Sequence, residues 1–271
     1  MSNAKGTALI TGASSGIGAL YAERLARQGY DLILVARSAG KLDAVAASIR
    51  AASGRTVETL AADLADTADL RRVEARVTND RSITMLVNNA GIGSTARALD
   101  ADVDTMSAMV ALNVEALMRL SYAAVPAFVA RGAGTIVNIA SIVAVAPELL
   151  NGVYGGTKAF VLAFSQNLRH ELEGTGVGVQ VVLPGATATD FWDVAGTPVE
   201  HLPGEIVMRA DAMVDAALAG LANREFATVP GLHDESRWDA FEGARQAMAG
   251  ELSANVPAPR YRDALLEGAA R

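Results

Sequence analysis

Apolar runs of strand length alternate with helically spaced apolar positions through most of the chain. The first run, Thr7-Ala-Leu-Ile10, leads through a glycine-rich stretch into a helical pattern from Ala19 to Gln28. Asp31–Ala36 reads as a second strand, and Leu42, Val45, Ala46 and Ile49 space a helix over Lys41–Ser53 that Gly54 stops. Thr56–Ala61 is a third strand, after which Asp66 or Thr67 caps a helix reaching about Thr78. Met85–Gly91 is a fourth strand ending in a glycine turn. A long helix is expected over Val103–Ala130, with Pro126 kinking it or splitting off its last turn. Gly134–Ile139 is a fifth strand, Val153–Glu173 a helix, and Val177–Leu183 a sixth strand that Pro184-Gly185 breaks. Ala186–Pro203 reads as a loop with short helical pieces, Arg209–Asn223 as a helix and Glu225–Val229 as a last strand. Trp238, Phe241, Ala244 and Met248 then keep helical spacing ahead of a polar tail with Pro257 and Pro259.

This alternation predicts an α/β fold, a doubly wound and mostly parallel seven-stranded sheet with helices on both faces, in a single domain over 1–271. Composition sharpens the picture: 51% of residues are hydrophobic but only 5% aromatic, so the core is aliphatic, as suits a covered parallel sheet. A formal charge of −7 lacks the basic footprint of a nucleic-acid binder. The chain has no cysteine, which excludes disulfides and thiolate chemistry, and the scattered His170, His201 and His233 give no reason to expect a metal. Neither a secretory leader nor a span-length apolar run is read, so a soluble cytoplasmic protein with no membrane partner is expected.

The chemistry starts at Thr11-Gly-Ala-Ser-Ser-Gly-Ile-Gly18. Gly12 lets the chain turn off the strand, Gly16 lets backbone approach a pyrophosphate, and Gly18 lets the helix pack close to the sheet. Ser14, Ser15 and Ile17 complete a turn whose free N–H groups and helix dipole suit a phosphate. Ligands of such sheets lie at the carboxyl ends of the strands. Here those ends are the glycine turn, Ala36-Arg37, Asp63-Leu64, Asn88–Gly91, Ser141 and Pro184-Gly185. Tyr154 and Lys158 follow at helical i, i+4 spacing, on one face. A neighbouring ammonium stabilises phenolate, and a shift of about two to three units would bring the phenol near physiological pH as a general acid or base. Ser141 is placed to hydrogen-bond a substrate oxygen as charge develops on it.

Taken together, Thr11–Gly18, Asp63, Asn88–Gly91, Asn113, Ser141, Tyr154 with Lys158, and Pro184-Gly185 resemble the short-chain dehydrogenase/reductase family over roughly residues 5 to 230. The resemblance implies a Rossmann-type fold, with 186–203 as a substrate loop and 233–271 as a C-terminal helical extension. It implies catalytic roles for Asn113, Ser141, Tyr154 and Lys158: Tyr154 as acid/base, Ser141 polarising a carbonyl, Lys158 also binding a nicotinamide ribose, and Asn113 holding a relay water. Asp63, Leu64, Asn89, Ala90 and Gly91 would line the adenosine side, while Pro184, Gly185, Thr187 and Thr189 would lie toward the nicotinamide. It further implies a homodimer or homotetramer pairing through the two long helices.

The acidic residue that favours NAD is replaced by Ala36, and Arg37 follows it, able to pair with a 2′-phosphate; NADP(H) is therefore expected over NAD(H). The expected activity is hydride exchange with a neutral, largely apolar carbonyl or secondary alcohol. The segments expected around it carry Ile92, Val143, Val145, Pro147, Leu149, Leu150, Phe191, Trp192 and Val194, and no lysine or arginine. A non-catalytic dinucleotide-binding regulator, or an epimerase or dehydratase using bound dinucleotide, stands as the alternative.

Overall fold

The computed structural model describes residues 5–261. By their own contacts these divide into a large unit ending at Gly231 and a small one from Leu232 on. In chain order the strands are β1 (Thr7–Thr11), β2 (Asp31–Ala36), β3 (Val57–Ala61), β4 (Ile83–Asn88), β5 (Gly134–Ile139), β6 (Val177–Val182), β7 (Thr187–Ala188), β8 (Met208–Arg209) and β9 (Ala227–Thr228). Among the described residues one seven-stranded sheet runs β3-β2-β1-β4-β5-β6-β9, every neighbouring pair parallel. The chain winds outward from β1 to β2 and β3, then returns to build the other half from β4. The switch therefore falls between β1 and β4, the place where such sheets open a crevice.

Side-chain alternation puts the core on both faces. Ala8, Ile10, Leu32 and Leu34 pack under helices α1 (Gly16–Arg27), α2 (Ala39–Ser53) and α8 (Ala210–Ala222), through Tyr21, Leu25, Leu42 and Met213. Leu9, Ile33, Leu86 and Ile136 pack on the opposite face under α3 (Thr67–Asn79), α5 (Leu117–Arg131) and α6 (Gly152–Glu171), through Val73, Leu120, Phe128 and Leu168. Local signals set several boundaries. Gly54 closes α2 at φ 67°, and the Asp66 carboxylate caps α3 by accepting from the Ala68 and Asp69 amides at 2.9 Å.

The long fourth helix differs from its expectation. It runs through Pro126 to Arg131 without being split there, and its irregularity lies earlier. Helix α4 (Val103–Val110) passes through a π-helical turn, Ala111–Ala116, into α5. This helix is also long and apolar enough, by length and composition, to cross a membrane, contrary to the sequence reading. Its apolar face is explained by the sheet: Ala116, Leu120, Ala124 and Phe128 are buried in the core.

Residues 186–209, read as loop and helix start, also contain the small parallel pair β7–β8, joined at Thr187↔Met208. Helix α7 (Phe191–Ala195) lies between those two strands. In the small unit, α9 (Ser236–Met248) follows the predicted spacing, with Trp238 and Phe241 ring centroids 5.5 Å apart. The rest of the 233–271 extension, from 262 on, lies outside the described residues.

Candidate active site

Backbone builds the first half of the site. Gly12 and Gly16 hold φ of 66° and 52°, the left-handed region that side chains resist. A Cβ on Gly18 would run into the Gly12 carbonyl and reach 2.6 Å from the Asn89 Nδ2, so the first turn of α1 rests directly on the turn. Thr11 and Asn89 brace it. The Thr11 Oγ1 accepts from the Asn89 and Ala90 amides at 2.9 Å each, and the Asn89 Nδ2 donates to the Thr11 and Gly12 carbonyls at 2.9 and 3.2 Å. Asn89 thus spends its amide on the turn. Ser15 is the N-cap of α1 yet makes no capping bond, and the first turn carries no acidic residue. The first N–H groups of a helix have no partner within it and carry the positive end of its dipole, which suits an anion. Ser14 and the partly buried Ile17 lie in the same turn.

Around this turn the other edge residues divide. Arg37 is exposed at the end of β2 and has no ion-pair partner among the described residues, while the Ala13 amide ties the turn to the Val35 carbonyl at 3.2 Å. Asp63 makes a local turn, its Oδ1 accepting from the Ala65 amide at 3.0 Å. The Leu64 side chain is buried in the core, which leaves its backbone at the edge. The Pro184 carbonyl accepts from the Ile142 amide at 3.0 Å and the Ser141 Oγ at 3.4 Å. Thr187 is buried and donates to the Gly185 carbonyl at 3.1 Å. Thr189 lies against Gly16, whose added Cβ would sit 3.3 Å from the Thr189 Cγ2.

Side chains build the second half. Tyr154 and Lys158 open α6, and Tyr154 shares a hydrogen bond with Ser141. The Lys158 Nζ donates to the Ile139 carbonyl at 2.8 Å and lies 5.8 Å from the Tyr154 ring centroid. Gly91 clears the space beside it: a Cβ there would be 3.1 Å from the Asn113 Oδ1 and 3.6 Å from the Lys158 Nζ. Asn113 occupies the π-helical turn and pairs both ways with Ile92, accepting from its amide at 2.9 Å and donating to its carbonyl at 2.8 Å. Its Nδ2 also donates to the Thr157 Oγ1 at 3.1 Å. The sequence reading, which put Asn113 in plain helix, missed this.

Burial governs the ionisation of both buried groups. It pushes the Tyr154 phenol up to about 12, the Ser141 hydrogen bond offsetting only part of that. It lowers the Lys158 ammonium from its ordinary 10.5 to about 8. This corrects the expectation of a phenol drawn toward neutral by its lysine. The ammonium is engaged with the Ile139 carbonyl, and loss of water around the phenol outweighs its field.

Of the apolar residues expected around the reacting carbon, Ile92, Val143, Leu150 and Phe191 do cluster with Tyr154, joined by Met106 and Met109. Phe191 reaches the Tyr154 ring at 5.6 Å between centroids, and it fills the space over Gly93, where a Cβ would clash with its ring. Val145, Leu149 and Val194 are instead 42%, 57% and 68% exposed. Trp192 is a packing residue, buried with its Nε1 donating to the Thr187 carbonyl at 3.0 Å. Met106 and Met109 carried a weak sequence signal, i, i+3 spacing on α4; Gly93 carried none. The Asn88 Nδ2 bridges to Asn138 at 2.9 Å and Ser121 at 3.0 Å, a buried tie between strands and helix.

This glycine turn and Ser–Tyr–Lys group coincide with a match to the short chain dehydrogenases over residues 6–198. The chain belongs to that family. It is an oxidoreductase of the short-chain dehydrogenase type. Among the relatives of this chain, serine 3-dehydrogenase of Agrobacterium fabrum is 37% identical over 188 residues, 69% of this chain and 74% of that protein. A probable NADP-dependent dehydrogenase of Haemophilus influenzae is 36% identical over 191 residues, 69% of this chain and 74% of that one. Among solved structures, a short-chain dehydrogenase from Sphingobium yanoikuyae in complex with NADPH is 50% identical, with a TM-score of 0.91 over 94% of this chain and 100% of that one. The bulky-bulky ketone specific alcohol dehydrogenase from Comamonas testosteroni is 42% identical, with a TM-score of 0.88 over 96% and 99%.

Proposed function

We propose that this short-chain dehydrogenase uses NADP(H), in preference to NAD(H), to interconvert a neutral, largely apolar ketone or aldehyde and its secondary or primary alcohol. The observation that carries the reading is the Ser141–Tyr154–Lys158 group facing an apolar wall at the same sheet edge as the glycine turn. The turn fits a dinucleotide: left-handed Gly12 and Gly16, the first turn of α1 without a side-chain cap, and the Arg37 guanidinium at the end of β2, without an ion-pair partner among the described residues. Gly12–Gly18 and the edges at Asp63-Leu64 and Asn89–Gly91 would hold its phosphates and adenosine side. Pro184, Gly185, Thr187, Thr189, Tyr154 and Lys158 would hold its nicotinamide end. When bound, the nicotinamide supplies or accepts the hydride.

The chain's own residues move the proton. A phenol that keeps its proton across the physiological range is set to give it to an oxygen as alkoxide character grows there. Ser141 donates a second hydrogen bond to that oxygen. Lys158, still largely protonated at neutral pH, supplies positive charge beneath the phenol as it loses its proton. Asn113 holds the loop at Ile92 beside Lys158, where it would serve a relay water. Phe191, Ile92, Val143 and Leu150 hide apolar substrate surface at about 25 cal/mol per Å². Segment 186–203 acts as a lid that opens to admit substrate and closes over it. Homo-oligomerisation through the long helices is supported by Val110, Tyr122 and Val129, which stay exposed there.

The test is a matched panel with NADPH and NADH: neutral aryl and alkyl ketones against phosphosugars and 2-oxo acids. NADPH should be preferred by about tenfold or more. Higher kcat/KM for the anionic substrates, or equal use of both cofactors, overturns the corresponding half of the reading.

A further inference from the structure

Asn151 ends in two functional groups, and each serves a different part of the molecule. Its Oδ1 caps the catalytic helix α6, accepting from the Val153 amide at 2.9 Å and from the amide of Tyr154 itself at 3.2 Å. Its Nδ2 points the other way and donates to the Ala96 carbonyl at 2.6 Å, fifty-five positions earlier in the chain. The side chain is buried, so neither bond is exchanged freely with water.

Ala96 belongs to the loop after β4, and the residue before it holds the lid. The Thr95 amide and Oγ1 both donate to the Ala195 carbonyl, at 2.9 and 3.0 Å, and the Thr95 and Thr197 hydroxyls are hydrogen-bonded at 3.0 Å. Two residues further back, Gly93 lies under the Phe191 ring, which in turn lies on Tyr154. The Thr95–Ala96 peptide therefore lies between two sets of hydrogen bonds, one to Ala195 and Thr197 and one to the Asn151 cap of the helix that carries Tyr154. Neither a cap nor a lid contact alone requires a buried amide to be spent on that loop.

We propose that Asn151 and Thr95 are positioning residues that couple lid closure to the placement of Tyr154, with the Thr95–Ala96 strap as the mechanical link. Asn151 meets the first turn of α6 directly through its cap and reaches the lid only through the strap. The inference deepens the carbonyl-reduction reading and rests on it for the kinetic consequence, while the coupling itself is measurable without turnover.

The discriminating variants are Asn151→Asp and Asn151→Ser. Both side chains are good helix caps, but neither can reproduce the amide donation to Ala96. Amide exchange is followed over 191–197 in the lid and over 152–156 in α6, in the full chain. Coupling predicts that both variants speed exchange in the lid by about fivefold or more, the lower end of ordinary coupling between sites. Thr95→Val, which removes only the hydroxyl contacts, should reciprocally loosen 152–156. With NADPH and a neutral ketone, the Thr95→Val/Asn151→Ser double variant should lose less kcat/KM than the product of the single losses. Lid exchange that stays at the wild-type rate in both Asn151 variants overturns the proposal, as does strict additivity. A wild-type protein inactive on every carbonyl would count against the proposed reaction, and the exchange measurements would still decide the strap.

Discussion

The glycine-turn side and the Phe191 side of the site are built by opposite means. On the first, backbone forms the surface: Gly18 rests on the Gly12 carbonyl, and the Thr11 and Asn89 side chains brace the backbone of the turn and of the β4 end through four bonds of 2.9 to 3.2 Å. On the second, side chains from distant segments meet over Tyr154, with Phe191 from α7 against Gly93 and the methionines of α4 nearby. A surface made by backbone suits a ligand that never changes, because backbone geometry tolerates almost no substitution. A surface made by apolar side chains on short elements can change shape and be re-cut for another substrate. Tyr154 and Lys158 sit where the two meet, which is why both are buried and both are displaced in ionisation.

The largest expected effect is at that junction. Tyr154→Phe removes only the phenolic oxygen, so turnover should fall by at least about two orders of magnitude while cofactor affinity, measured by NADPH fluorescence titration, stays as it was. Turnover retained in this variant would falsify the proton-transfer assignment. At the same junction, Lys158 should leave a signature in stability against pH. Its folded value is depressed, to about 8 from an ordinary 10.5, so between those values the unfolded chain binds a proton that the folded chain has released. Stability contributed by this group therefore rises with pH across that window and is constant below it. Lys158→Met should be the more stable protein below about pH 8, by up to roughly 3 kcal/mol, with the advantage gone by about 10.5. Urea unfolding from pH 7 to 10.5 that shows the same difference throughout would rule out the buried ammonium as its cause.

Next come the paired glycines, which bear on the comparison most directly. Gly18→Ala forces a Cβ into backbone that cannot retreat, and should cost about 1–3 kcal/mol together with most of the NADPH affinity. Arg37→Ala should leave the fold untouched and bring the NADPH-to-NADH preference down by about tenfold, measured as a ratio of kcat/KM. Smallest is Gly93→Ala, which displaces only the Phe191 ring: a few-fold change in ketone kcat/KM with NADPH affinity unchanged. If Gly93→Ala weakens cofactor binding as much as Gly18→Ala does, the two sides are not separately built and the comparison fails.

How far the sequence reached follows the same division. The seven strands of the main sheet and the helices between them, the turn glycines, Tyr154, Lys158 and Ser141 were legible, because each leaves a local trace: an apolar period, a breaker, an i, i+4 pair; the two-residue strands β7 and β8 were not. The capping of α6 by Asn151 was legible too, since Asn just ahead of an apolar helical run is a start signal, but it went unread. The π-helical turn at Asn113 was not, because its cause lies outside the helix, in the Ile92 and Thr157 groups that the Asn113 amide meets. Nor did spacing show that Leu64 turns into the core while Val145, Leu149 and Val194 face outward.

By itself, then, the sequence determined the alternating α/β order, the glycine turn and the i, i+4 placement of Tyr154 and Lys158, since period, breaker and helical spacing act within a few residues. Tertiary structure decided the rest. Only folding set Phe191 over Gly93, engaged Lys158 with the Ile139 carbonyl and spent the Asn89 amide on the turn. It also reversed the expected shift of the Tyr154 phenol, because ionisation depends on the water removed by residues far away in the chain, which no local pattern records.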